Sequence, residues 1–138
     1  MAGSLLDTNV VSELIRPKPE SRVVAFLDTL AEGWISALTL HELAYGVLRH
    51  PSPARRDYLS KRIAEISTLY RDRVLSIDSA VAERAAHQRV MAAKEGRVLH
   101  LADALIAGTA AVHGLILVTR NVSDFDRLDL TIHNPWEG

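Results

Sequence analysis

Asp7, Glu42, Asp103 and Asp124 lie far apart along the chain, yet each falls just after an apolar stretch or just inside a helix next to one. Gathered in one place, such carboxylates repel one another, and their pKa values rise unless a cation stands among them. Their oxygens suit a hard cation, Mg²⁺ or Mn²⁺. The chain has no cysteine, and its histidines show no paired metal spacing. A hard cation can acidify a water for attack on a phosphodiester and stabilise charge on the phosphoryl and leaving oxygens. Each residue alone also has an ordinary reading. Asp7 can cap a helix, Glu42 can complete a capping box with Thr39, and Asp103 can be an acid favoured by a helix N-terminus. Asp124 can be a plain loop acid, and Asp126 or Asp129 would serve as well in its place. Four such coincidences on one rim are harder to explain that way.

The rim follows from the elements that carry these residues. Leu5-Leu6 reads as the end of a buried strand, and Asp7, Thr8 or Asn9 as the cap of a helix over residues 10–16. Val23, Val24, Leu27 and Leu30 recur at helical spacing, Gly33 ends that helix, and residues 34–37 look like a second strand. Thr39 is then expected to cap a helix reaching about Arg49, with Glu42 in its first turn. A polar helix over residues 53–70 should turn Leu59, Ile63, Ile66 and Leu69 inward, and residues 74–77 form a third strand. Asp78 or Ser79 caps a helix that Gly96 closes. An alanine-rich helix over residues 101–113 stops at Gly114. Residues 115–118 are wholly apolar, as in a strand covered on both faces, and residues 130–133 suit an edge strand.

Strands alternating with helices imply an α/β fold: a three-layer α/β/α sandwich around a mainly parallel sheet. Ligands bind such sheets beyond the carboxyl ends of the strands. Asp7 and Asp124 follow strands directly, and Glu42 lies in the helix after one. The helix bearing Asp103 leads into the 115–118 strand and must run antiparallel to it, so its N-terminus returns to the same edge. Thr8, Asn9, Thr119 and Asn121 have short polar side chains able to orient a carboxylate or a bound water there. Arg16, Arg49, Arg97 and Arg120 are candidates for phosphate contact, His41 and His100 lie near the rim, and Trp34 and Trp136 suit the core or an interface.

With 138 residues, the chain is expected to be one domain spanning 1–138. Lys and Arg total 16 against 17 acidic residues, so a grip on long nucleic acid by bulk charge is excluded and any contact must be local. No apolar run reaches the ~20 residues of a membrane span. Residues 1–4, Met-Ala-Gly-Ser, lack the basic start and apolar stretch of a secretory signal. The expected compartment is the cytoplasm.

The segments Leu5-Leu6-Asp7-Thr8-Asn9-Val10, Ile35-Ser36-Ala37 to His41-Glu42-Leu43, Ala102-Asp103-Ala104-Leu105-Ile106-Ala107 and Leu117-Val118-Thr119-Arg120-Asn121 to Asp124-Phe125, taken in order, resemble the motifs of the PIN-domain family. Asn134-Pro135-Trp136 is similar to the ending of its VapC-type toxins. The resemblance covers about residues 5–136. It implies a Mg²⁺- or Mn²⁺-dependent endoribonuclease, the toxin of a toxin–antitoxin pair, usually a homodimer inhibited by a cognate antitoxin in a larger assembly. It carries the main acidic triad onto Asp7, Glu42 and Asp103, with Asp124 at a fourth, more variable position. His100 departs from the small polar residue common before the Asp-bearing helix, which weakens that helix's cap. An apolar surface for an antitoxin or second subunit is expected around residues 10–16 and 23–30. A receiver-like phosphorylation domain is the weaker alternative. It would use Asp78 as acceptor, but Thr119-Arg120 stands where its lysine is needed. An inert PIN-like interaction module and a DNA-directed nuclease are the remaining readings.

Overall fold

The computed structural model describes residues 3–137, so Met1, Ala2 and Gly138, including the start of the segment read for a signal, lie outside it. Five strands form one sheet: β1 (Ser4–Leu6), β2 (Gly33–Ser36), β3 (Val74–Leu75), β4 (Ile116–Val118) and β5 (Ile132–His133). Their order is β3-β2-β1-β4-β5, and every pairing is parallel. Seven helices cover it: α1 (Thr8–Leu14), α2 (Ser21–Asp28), α3 (Ala37–Leu48), α4 (Pro53–Leu69), α5 (Ser79–Lys94), α6 (Leu101–His113) and the short α7 (Val122–Phe125). No described helix is long and apolar enough to cross a membrane.

The pleat divides the apolar side chains between two layers, because successive strand residues point to opposite faces. Leu5 and Leu117 enter one core with Ala85, Ala92, Ala104, Ile106, Ala107, Ala110, Phe125 and Leu128. Their neighbours Leu6 and Val118 enter the other with Val10, Val11, Val23, Ile35, Leu43, Ile66 and Trp136. The three-layer expectation is met, and β5 occupies an edge.

Local chemistry sets the helix ends. Asp7 caps α1 through Thr8 N, and Asp78 caps α5 through Val81 N at 3.0 Å. Gly114 closes α6 with φ +63°, and Gly96 follows α5 with φ +73°, the left-handed region where glycine carries no Cβ penalty. Several expectations fail. Ser36, not Thr39, caps α3, its hydroxyl accepting from Leu38 N at 3.0 Å. The helix therefore begins directly at the end of β2, and Glu42 lies in its second turn rather than its first. Leu69 is 63% exposed, because α4 gives way there to a 3₁₀ turn over Arg71–Arg73. β3 spans two residues instead of four, since only Val74 and Leu75 find partners on β2. α1 ends at Leu14, which leaves Arg16 beyond it.

α5 and α6 form the most extensive helix pair. A Cβ on Gly108 would come within 2.9 Å of the Val81 carbonyl oxygen and 3.1 Å of Ala85 N, so only glycine allows this approach. Gly108→Ala gains about 1 kcal/mol of helix propensity. It also overpacks against backbone that cannot yield. A net loss of roughly 1 kcal/mol or more is expected in urea unfolding.

Candidate active site

Asp7, Glu42 and Asp103 line one cavity of about 280 Å³ at the carboxyl edge of the sheet, together with Thr8, Asn9, Ser12, Ala102, Ile106 and Asn121. Each carboxylate comes from a different element: the end of β1, the second turn of α3 and the first turn of α6. Three of the four carboxylates expected on this rim thus share a cavity, and Asp124 is not among its lining residues.

Asp7 is the most constrained of them, with 6% exposure. Its Oδ1 accepts from Thr8 N at 2.7 Å, and its Oδ2 accepts from the Thr119 hydroxyl at 2.7 Å and from Asn9 Nδ2 at 3.1 Å. Its backbone N–H donates to the Val118 carbonyl at 2.9 Å, tying it to the end of β4. Burial pushes its pKa from 3.8 up to about 6; the bonds from Thr119 and Thr8 pull it down, and the charges of Asp103 and Glu42 push it further up. Asp103 is half-buried, and its pKa is also raised, first by burial and then by the charge of Asp124, with Glu42 adding to it and His100 opposing. Glu42 Oε1 accepts from the Thr8 hydroxyl at 2.6 Å.

Thr119 organises the rim. Its fully buried hydroxyl donates to Asp7 while accepting from Asn9 Nδ2 at 3.2 Å and Asn121 N at 3.0 Å. Asn9 Oδ1 in turn accepts from Arg120 N at 3.2 Å. Thr119→Val would remove the hydroxyl that donates to the buried Asp7 carboxylate, and a loss of about 1–3 kcal/mol is expected from urea unfolding.

The donor set is entirely oxygen, the chemistry hard cations select. Among the described residues, no three acidic, histidine or cysteine side chains stand close enough to hold an ion as placed. The all-oxygen donor set is of the kind that suits Mg²⁺, which keeps several waters and is typically held directly by one or two carboxylates. Burial is the first cause of the raised pKa values of Asp7 and Asp103, and the neighbouring carboxylates add a negative potential that a divalent cation would neutralise.

Residues 4–130 match the PIN domain family. The chain belongs to that family. Among its relatives, Toxin FitB of Neisseria gonorrhoeae is 39% identical over 135 residues, 96% of this chain and 97% of that protein. VapC ribonuclease Y4jK of Sinorhizobium fredii is 36% identical over 136 residues, with 96% and 97% covered. The crystal structure of FitAcB from Neisseria gonorrhoeae superposes with a TM-score of 0.90 at 39% identity, over 97% of this chain and 99% of that one.

The remaining expected residues of this PIN domain are spread more widely. Asp124 lies in α7, a short helix that the sequence reading took for loop, and its charge reaches Asp103. Asp126 stands just past α7, and its backbone carbonyl accepts from Arg97 Nη2 at 2.8 Å. Of the arginines, Arg16 pairs with Glu13 at 3.2 Å, and Arg49 lies over the Tyr45 ring at 5.0 Å. Arg97 is engaged with Asp126. Arg120 alone is bonded through its backbone to the Asp7–Asn9 network, with its guanidinium 5.0 Å over Trp136. His100 takes the N-cap position of α6 without a side-chain cap bond, as its departure from the family pattern implied. His41 is exposed and stacks on Tyr45. Trp136 is core, whereas Trp34 is only partly buried and donates to Glu32 at 2.7 Å. Asp78 caps α5 and follows β3, an edge strand, whereas the receiver-like alternative needs its acceptor after the middle strand.

Proposed function

We propose that this PIN domain, taken as one unit over residues 1–138, is a metal-dependent endoribonuclease. It acts as the toxin of a VapBC-type pair and is inhibited by a cognate antitoxin. The observation that carries the reading is the shared cavity of Asp7, Glu42 and Asp103, in which the pKa values of Asp7 and Asp103 are both raised. The names of the relatives, one a toxin and one a VapC ribonuclease, support it. One or two of Asp7, Glu42 and Asp103 would hold Mg²⁺ or Mn²⁺ directly and the rest through its waters, with Asp124 at the outer edge. When bound, such an ion supplies Lewis acidity at a phosphodiester and lowers the pKa of water. The chain's own part is orientation. Thr8 N, Thr119 and Asn9 fix Asp7, the Thr8 hydroxyl fixes one oxygen of Glu42, and the N-terminus of α6 adds positive potential beside Asp103. Arg120, anchored beside Asn9, is placed to meet an RNA phosphate.

The protein is read as cytoplasmic and homodimeric, and as part of a larger complex with its antitoxin. Of the helices expected to carry the surface for these partners, α1 buries Val10 and Val11 and α2 buries Val23, while Leu14, Phe26, Leu27 and Leu30 are partly buried. The most exposed large apolar side chains lie on α3 and α4, at Tyr45, Leu48 and Leu69, and on or near the α5–α6 connection, at Val90, Val98 and Leu101. Incubation with total RNA in millimolar Mg²⁺ is expected to give discrete fragments. RNA left at full length over hours would overturn the reading and favour an inert interaction module.

A further inference from the structure

Thr39 is fully buried in the first turn of α3, and the capping role that its sequence position suggests belongs to Ser36. Its hydroxyl lies 3.0 Å from the Thr8 hydroxyl. Thr8 donates to Glu42 Oε1 at 2.6 Å. A hydroxyl has one proton. Because Thr8 gives its proton to the carboxylate, the proton between the two threonines must come from Thr39. The direction is therefore fixed: Thr39 donates to Thr8, and Thr8 donates to Glu42. Other helical threonines of this chain behave differently. Thr68 and Thr109 donate to carbonyls four residues earlier, those of Ala64 and Leu105. For Thr39 that carbonyl belongs to Ile35 in β2, outside the helix, and the hydroxyl bridges to α1 instead.

We infer that Thr39 is a positioning residue for Glu42, acting through Thr8. The inference rests on the reading of Glu42 as a site carboxylate. A donor that itself receives a hydrogen bond is strengthened, so the chain holds the Glu42 carboxylate in one orientation. With Oε1 engaged, Oε2 is the oxygen of Glu42 that makes no hydrogen bond among the described residues and is available to the cavity. The link also couples α3 to α1 at the site, so that Asp7 and Glu42 are held relative to each other by Thr8, whose N–H bonds one and whose hydroxyl bonds the other.

The test compares Thr39→Val, which keeps the shape and removes the hydroxyl, with Thr39→Ser, which keeps the hydroxyl. Carbon-13 relaxation of the Glu42 side chain in metal-free protein reports its order, and RNA cleavage reports function. In Thr39→Val the Glu42 side chain is expected to lose order, and kcat to fall by about tenfold, the lower end for a residue supporting a ligand. KM should stay within about twofold, because ground-state binding is untouched. Thr39→Ser should restore both. Thr8→Ala, which removes the middle link, should loosen Glu42 to the same degree and serves if Thr39→Val does not fold. Glu42 as ordered as in wild type in either variant, or no recovery of order with serine, would overturn the inference. Wild-type protein that cuts no RNA would instead sink the nuclease reading, while the Glu42 relaxation still decides the role of Thr39.

Discussion

Metal-free protein is expected to lose stability as pH rises from about 4 to 7, the reverse of ordinary acid denaturation. Asp7 is the cause. Its pKa is raised in the folded state from 3.8 to about 6, so the native protein binds more protons than the unfolded chain across that window. Stability falls wherever the native state holds the excess of protons. The favourable contribution is therefore complete below the unfolded pKa and is lost as pH passes through the folded one. Its size is about 3 kcal/mol for Asp7 alone, taking 1.36 kcal/mol per pKa unit. Asp103, also raised, adds in the same direction. Glu20, lowered by its hydrogen bonds to Arg22, works the other way but lies at the surface, where solvent screens it, and weighs little. Urea unfolding at pH 4.5 and pH 7.5 in EDTA checks the sign. Asp7→Asn should flatten the difference, since an amide can still cap α1 but has no charge to bury. A wild-type protein more stable at pH 7.5 than at pH 4.5 would contradict the account of Asp7.

The second large effect concerns chemistry. Asp103→Asn is expected to reduce RNA cleavage by at least about a hundredfold, the scale of losing one preorganised charge contact in a transition state. The same change should raise the melting temperature of metal-free protein, because it removes a half-buried charge that faces Glu42 and Asp124. Loss of activity with a gain in stability is the signature of a residue kept for function. Loss of both together would mark Asp103 as structural.

The positions of the carboxylates were legible in the sequence because they depend on topology. A strand ending at Leu6 places Asp7 on the rim whatever its side chain does, and a helix leading into β4 must begin at that same rim, which carries Asp103 there. Gly114 and Asp78 were legible because a left-handed stop and an N-cap are local signals. The start of α3 was not. Ser36 and Thr39 are both good caps, and the choice falls to Ser36 because the helix follows β2 with no intervening loop. That one displacement hid Thr39, whose meaning depends on Thr8, 31 residues away. Leu69 and β3 failed for a related reason: periodicity says which residues are apolar, not where a partner strand or packing surface stops. α7 has four residues, too few for any period to register.

The most direct measurement is cleavage of RNA by protein stripped with EDTA and then given Mg²⁺ or Mn²⁺, for wild type and for Asp7→Asn. Wild type should be silent in EDTA and recover fully with the cation, while Asp7→Asn stays silent at every cation concentration. Cleavage that persists in EDTA, or a cation response in Asp7→Asn equal to that of wild type, would show that the gathered carboxylates are not the seat of the chemistry.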